Sequence, residues 1–351
     1  MPAVVTWAIG PFTRPLDQPV IQPTGSLVFD CPVTRQPVRW AENHTFNPAA
    51  VVHAGKVHVF FRAEDGRGDD IGMYCSRIGH AVSADGLTMK IQPSPVLFPA
   101  DDEWKAAEWP GGCEDPRIVE SDAGGFALYY TMYNRRSPVC IGVATSPDLQ
   151  TWIKHGPIFD SARDNLGWHK AAGVVQKIQD GRLIAARIHG RYWMYWGEDA
   201  VHLATSTDLV KWTPVRGPDR QVLTLIAPRR GRFDSALTEV GPPPVLTNAG
   251  IVLLYNGKNH AEHGDPFIAP GAYAAGQVLF DKDDPTKVLD RLDQPFLKPE
   301  AAFEKTGQYQ AGTVFIEGLV LFKGRWHLYY GAADTVVGVA VAANKTEAVD
   351  D

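Results

Sequence analysis

Short apolar runs rich in Val, Ile, Phe, Tyr and Trp alternate along this chain with turns carrying Gly, Asn or Asp. That rhythm is the period of strands and hairpins, and no helical periodicity of useful length interrupts it. Five stretches share one plan: a polar residue, an apolar strand, a Gly-containing turn, and a strand ending in aromatics. They are NPAAVVHAGKVHVFFRAED from Asn47, DPRIVESDAGGFALYYTMY from Asp115 and KAAGVVQKIQDGRLIAARIHGRYWMYWGED from Lys170. EVGPPPVLTNAGIVLLYNG from Glu239 and TVFIEGLVLFKGRWHLYYGAAD from Thr313 complete the set. Three units are followed by closely similar phrases, IGHAVSADGLTM, IGVATSPDLQTW and VHLATSTDLVKW, each reading as a third strand, a turn and a fourth strand; AAGQVLFDKDDPTKVL takes that place in the fourth unit.

Four antiparallel strands repeated five times predict an all-β protein, a five-bladed β-propeller, rather than a sandwich or a solenoid. The expectation is a single domain over residues 1–351, with residues 1–45 and the C-terminus closing the ring. The third unit carries additional residues around QKIQDGRLIAARIHG, so its strands are the least regular.

Equivalent positions in such repeats meet around one axis although they lie far apart in sequence. The polar residues at unit starts are Asn47, Asp115, Lys170 and Glu239; those after the second strand are Arg62, Glu64, Asp65, Glu198, Asn256 and Asp334. Each acid alone could cap a turn or pair with an arginine. Turn capping does not require one ring of positions to carry Asn, Asp, Lys and Glu. A funnel of carboxylates and amides rimmed by Trp and Tyr suits a polyhydroxylated ligand, because amides and carboxylates bind vicinal hydroxyls and aromatic faces pack on the C–H face of a sugar. Carboxylates at several axial positions also offer what glycoside cleavage needs, one protonated and one ionised.

Composition and charge narrow this further. The net charge of −6 is spread through interspersed acids and bases, which leaves no basic face for nucleic acid. No apolar stretch approaches the roughly 18 residues of a membrane helix, and the start lacks the pattern of a secretion signal. Cys31, Cys75, Cys113 and Cys140 form no CxxC pair and read as free thiols, pointing to a cytoplasmic location. His260 and His263 lie in a Gly-Asp-Pro loop with no other ligand-spaced cluster, so no metal and no cofactor are expected. Asn43-His44-Thr45 is a glycosylation acceptor pattern only in a glycosylating compartment. The basic run Arg229-Arg230-Gly231-Arg232 reads as a solvated loop. Oligomeric state is not legible.

The phrases HTFNPAAVV, RAEDG, CEDPRIV, YWMYWGED, FDSALTEVGPPPV, YNG and YYGAAD, in order and at unit spacing, resemble glycoside hydrolase family 130, the β-mannoside phosphorylases and β-mannosidases. The resemblance covers nearly the whole chain and implies a five-bladed propeller acting on β-linked mannose. It places Asn47, Arg62 and Asp334 at mannose-binding positions and makes Asp115, in EDPR, similar to the family's general acid, which reaches the glycosidic oxygen through a mannose hydroxyl. Phosphorylases of the family hold phosphate with basic residues in the third and fourth blades. Here Lys170 keeps one charge, but Tyr195-Trp196-Gly197-Glu198, Glu239 and Asn256 stand at the other places. Carboxylates repel a phosphate dianion and suit a water nucleophile, so the resemblance is to the inverting, β-1,2-mannosidase-like branch.

The expectation is therefore an inverting exo-acting hydrolase releasing mannose from β-linked, β-1,2 by preference, manno-oligosaccharides. Asp115 is expected as acid and Glu198 and Glu239 as the residues that activate water, either being the base. Asn47, Arg62, Asp65, Lys170, Asn256 and Asp334 are expected to bind substrate. Glu114 reads as a partner of Arg117. The rivals are a phosphorylase producing mannose 1-phosphate with Lys170 and a nearby arginine such as Arg163, and a non-catalytic sugar-binding propeller. Residues 100–112, 160–170 and 260–272 are expected to shape the rim.

Overall fold

A computed structural model describes residues 6–66 and 71–345. The ends of the 1–351 range assigned above, and residues 67–70, lie outside the described residues. The protein is all-β. Among the described residues helix is confined to Lys105–Glu108, Ser161–Asp164 and a 3-10 turn at Ala302–Glu304.

Five antiparallel units follow one another along the chain. The first pairs His44–His53, Lys56–Glu64, Ser76–Ser83 and Lys90–Ile91 in sequence order, and the second Gly112–Glu120, Phe126–Tyr133, Cys140–Ser146 and Ile153–Pro157. The third pairs Ala172–Val174, Arg191–Trp196, Val201–Ser206 and Thr213–Pro214. Its additional residues form a hairpin, Gln176–Gln179 with Arg182–Ala185, that pairs in parallel with the neighbouring units at Val245 and Glu120. In the fourth unit Leu237–Val240 and Val245–Thr247 both pair with Gly250–Lys258, which continues to Tyr273–Phe280 and Val288–Arg291. The prolines of GPPPV lie between those two short strands and cannot donate to the ladder there. The fifth pairs Val314–Phe322, Arg325–Ala332 and Val336–Ala343.

The N-terminal segment supplies the outer edge of the fifth unit. Thr13 and Val341 exchange backbone bonds of 2.9 and 2.8 Å, and the Val337 N–H donates to the Ile21 carbonyl at 3.0 Å. Gln277 of the fourth unit grips the same segment from the other side, its side chain bonding both the N–H and the carbonyl of Ile9 at 2.9 and 2.8 Å.

Apolar side chains gather into five clusters, and each fills the gap between one unit and the next. Phe60 and Leu128 meet between the first and second, Tyr129 and Trp212 between the second and third, Tyr195 and Phe280 between the third and fourth, and Leu254 and Ile316 between the fourth and fifth. The fifth cluster joins Phe61 to Tyr329, so the last unit packs against the first. Burial of these faces is the main favourable term holding the units together.

The repeated SxD phrases have a local cause. Ser83 Oγ accepts the Gly86 N–H at 2.9 Å, and Asp85 Oδ1 accepts the Leu87 and Thr88 N–H groups at 2.8 and 2.7 Å. Ser146 with Asp148, and Ser206 with Asp208, repeat the turn. Of the basic run, Arg230 and Gly231 are exposed in a loop as expected, and Arg229 departs from that role. Arg229 turns inward onto the buried Asp234 at 2.9 Å, which also accepts from Arg291 and the Tyr255 hydroxyl. The four cysteines are free thiols.

Candidate active site

The first strands of the first, second and fifth units each break register beside a polar residue: at Asn47 between Phe46 and Pro48, at Asp115 between Glu114 and Arg117, and at Glu317 between Ile316 and Gly318. Asn47 and Asp115 both sit at φ 47°. That left-handed conformation is tolerated by Asn and Asp, whose short side chains bond locally, and the following proline fixes the exit of the chain. The Asn-Pro and Asp-Pro steps are thus devices for turning a polar side chain out of the ladder. The two meet, the Asn47 amide donating to Asp115 Oδ1 at 2.8 Å.

Three cations organise the carboxyls around this pair. Arg62 reaches Glu64 at 2.7 Å, Glu114 at 2.9 Å and Asp115 at 3.3 Å, and its Nε donates to Ser76 Oγ at 3.0 Å. Arg117 holds Glu317 at 2.9 Å and faces Glu239 at 3.7 Å, and it also donates to the carbonyls of Val240 and Gly241 in the fourth unit. Lys170 is the hub: its ammonium lies 3.3 Å from Glu198, 3.6 Å from Glu239 and 3.8 Å from Asp115. Carboxyls outnumber cations here, so the ionisation states must divide.

They divide by partner. Burial alone would raise Asp115, but Arg62, Lys170 and the Asn47 amide outweigh it and hold the group down at about 2. Glu114 is pushed up to about 7, chiefly by burial, with Arg62 opposing and Asp115 adding repulsion. Glu239 is pushed up to about 8 by burial despite Lys170. Its side chain is 1% exposed and its Oε1 has no hydrogen-bond partner. Glu317 is raised well above the ordinary range, again by burial, and neither of its oxygens finds a hydrogen bond. Asp334, at φ 50°, is raised to about 6 by burial, with Arg62 opposing. Glu198 differs in setting: its side chain is 20% exposed, one oxygen faces Lys170 and the other accepts the Trp168 indole N–H at 3.0 Å.

The structure therefore brings together Asp115, Glu198, Glu239, Asn47, Arg62 and Lys170, with Asp334 facing Arg62 and Asp115. Two further expected binding residues have their polar groups engaged by the protein itself. Asn256 is fully buried, and its amide bonds both the carbonyl and the N–H of Ile316, at 3.1 and 2.8 Å, so it ties the fourth unit to the fifth. Asp65 is buried against Arg77 at 3.0 Å and accepts the Cys75 N–H at 3.4 Å. Glu114 partners Arg62 and Ser76, at 2.9 Å each, rather than Arg117. Glu317 went unread in the sequence because it lies inside the apolar run VFIEGLVLF, with no proline to mark its bulge. Trp168 and Tyr273, whose hydroxyl is raised by burial and by Glu239, were likewise unmarked.

A family model described as beta-1,4-mannooligosaccharide phosphorylase matches residues 13–349. A 1,2-beta-oligomannan phosphorylase of Thermoanaerobacter sp. (strain X514) is 32% identical over 312 residues, covering 87% of this chain and 92% of that protein. Among solved structures, one is described by the statement that the GH130 family of mannoside phosphorylases contains glycoside hydrolases that target beta-1,2 mannosidic linkages in Candida mannan. It is 48% identical with a TM-score of 0.94, covering 99% of this chain and 98% of that one. A glycosyl hydrolase from Bacteroides ovatus is 47% identical with a TM-score of 0.93, covering 98% of each chain.

Proposed function

This chain belongs to glycoside hydrolase family 130, a family of glycoside-processing enzymes, and from that premise we propose that it is an inverting, exo-acting hydrolase releasing mannose from β-linked manno-oligosaccharides, β-1,2 linkages foremost. We further propose that the five units are the blades of a single five-bladed propeller. The cyclic order of the apolar clusters, with the fifth unit on the first, supports that reading.

One observation carries the choice of water over phosphate. Each cation touching the cluster already faces at least two carboxyls, and Glu198 and Glu239 occupy the ammonium of Lys170. A phosphate dianion would have to displace them, and an ionised carboxylate about 4 Å from it would cost several kcal/mol at an effective dielectric near 20.

In the proposed reaction Asn47, Arg62 and Asp334 hold the terminal mannose. Glu198 takes a proton from water as its oxygen attacks the anomeric carbon. The glycosidic C–O bond breaks, and the leaving oxygen receives the proton supplied by Asp115, through a mannose hydroxyl as in the family pattern. Glu198 is preferred to Glu239 as base because it is open to water, oriented by Trp168 and ion-paired, whereas Glu239 is enclosed and holds its proton near neutrality. Asp115 starts ionised. The proton it passes on therefore has to reach it from a neighbouring carboxyl, and Glu114 and Glu239 carry protons nearby. Asp115 and Glu198 face the same ammonium, at 3.8 and 3.3 Å, so the proposed acid and base border one site.

Phosphorolysis is the second reading, favoured by Lys170 at the hub and by the phosphorylase named above. Turnover of β-1,2-mannobiose in buffer freed of phosphate tests between them: sustained release of mannose supports hydrolysis, and turnover only on adding phosphate overturns it.

A further inference from the structure

The most conspicuous unassigned group beside this cluster is Trp168. Its indole N–H donates to Glu198 Oε2 at 3.0 Å, while the residue as a whole remains 59% exposed. The backbone that presents it is fixed. The His169 N–H donates to the Val139 carbonyl at 3.2 Å, His169 Nδ1 accepts the Ile141 N–H at 3.2 Å, and the Lys170 carbonyl accepts the Gly197 N–H at 3.0 Å. The His169 ring packs edge-on to Trp196 and Phe159. The indole is thus held by its polar edge on a rigid base while much of its surface stays in water, beside a carboxylate and an ammonium. Exposing so large an apolar ring is unfavourable unless something covers it, and a pyranose ring with its C–H face is the chemistry that fits.

We infer that Trp168 is the aromatic platform for the leaving sugar and also the positioning residue of Glu198. The sugar on the leaving side packs on the indole, and the same indole orients the carboxylate that activates water. Recognition of that sugar and activation of water then share one side chain. The platform part depends only on a mannoside binding at this cluster; the positioning part rests on the hydrolytic reading above.

Two substitutions separate the roles. Trp168→Ala removes the ring and the N–H; Trp168→Phe keeps a ring without the N–H. The probes are β-1,2-mannobiose as substrate and methyl β-mannoside, which has no second ring, as competitive ligand. Trp168→Ala is expected to raise KM for mannobiose about 10-fold, the size of one lost aromatic contact, while leaving the inhibition constant of methyl β-mannoside within about 2-fold. Trp168→Phe is expected to keep KM for mannobiose near wild type. It should also move the acid limb of the kcat–pH profile upward, because a carboxylate that loses a donor to its charged form holds its proton to higher pH. An unchanged KM in Trp168→Ala, or equal weakening of both probes, overturns the platform. An unmoved acid limb in Trp168→Phe overturns the positioning role. Running both variants with and without phosphate keeps the readings apart: a strict phosphate requirement retires hydrolysis, while the contrast between the two probes still decides the platform.

Discussion

At the scale of single residues, two glutamates share one ammonium but differ in their surroundings, and that difference makes them separable. Glu198 is partly open and accepts an indole N–H; Glu239 is enclosed, with burial holding its carboxyl up at about 8. Gln imitates a protonated carboxyl and cannot accept a proton. Glu198→Gln is therefore expected to lower kcat by about 10²–10⁴, the usual worth of a general base. Glu239→Gln, preserving the neutral form that Glu239 already has near neutrality, should retain far more activity. Steady-state kcat at pH 7 for both variants checks this, and the reverse ranking would transfer the base role to Glu239.

Between residues and elements stands the bulge at Asn47. A Cβ built on Gly331 would lie 2.3 Å from Asn47 Oδ1 and 2.9 Å from its backbone nitrogen, so the glycine of YYGAAD is required by the close approach of the first and fifth units. Gly331→Ala should displace the amide that holds Asp115, raising KM and lowering kcat while strand content, read by circular dichroism, persists. The third strand of the first unit carries a different constraint. His58 Nδ1 and His80 Nε2 share a hydrogen bond of 2.9 Å, which one protonated and one neutral ring, or two neutral rings, can satisfy but two imidazolium rings cannot. Burial depresses both rings to about 4, and His169 likewise. Their folded values lie below the unfolded value near 6.5, so the unfolded chain binds more protons between those limits. Stability from these rings is complete above about 6.5 and declines as pH falls toward about 4. Thermal midpoints across that range should fall, and His80→Phe, which keeps a ring and removes one titrating group, should flatten the decline.

These elements also show what the amino-acid pattern could and could not disclose. Asn-Pro and Asp-Pro are readable because a left-handed residue followed by a fixed φ has a chemical signature, and the SxD turns repeat because the same side-chain bonds repeat. Glu317 reaches Arg117 by an equivalent bulge with no such signature, so an apolar run concealed it. Repeat position alone does not say whether an amide faces the open side or the backbone of the next unit, and the Asn256 amide bonds that backbone. The pairing of Asp65 with Arg77 was not legible because Arg77 lies on the next strand, as invisible to spacing as any tertiary contact.

For the whole molecule, the consequential feature is where the segment around Thr13 and Ile21 meets the strand Val336–Ala343. The fifth unit provides its own first three strands, and its outer edge is covered by the segment around Thr13 and Ile21, which Gln277 and Arg14–Glu304 fasten from neighbouring positions. An uncovered edge strand is a template for association between chains. A chain lacking residues 1–22 should unfold at lower temperature and associate on warming, while Gln277→Ala, which removes both bonds to Ile9, should lower the midpoint by a smaller amount. An unchanged midpoint in the truncated chain would show that the segment covers the edge without stabilising the fold.

The packed units gather Asp115, Lys170, Glu198 and Glu239 into one set of contacts, and the central claim is that water attacks there. Proton and phosphorus magnetic resonance of β-1,2-mannobiose turnover, followed from the first minutes in saturating phosphate, reads that claim directly. The account predicts free α-mannose as the first product, with no phosphorus signal beyond inorganic phosphate. Accumulation of α-mannose 1-phosphate in step with substrate loss would contradict it.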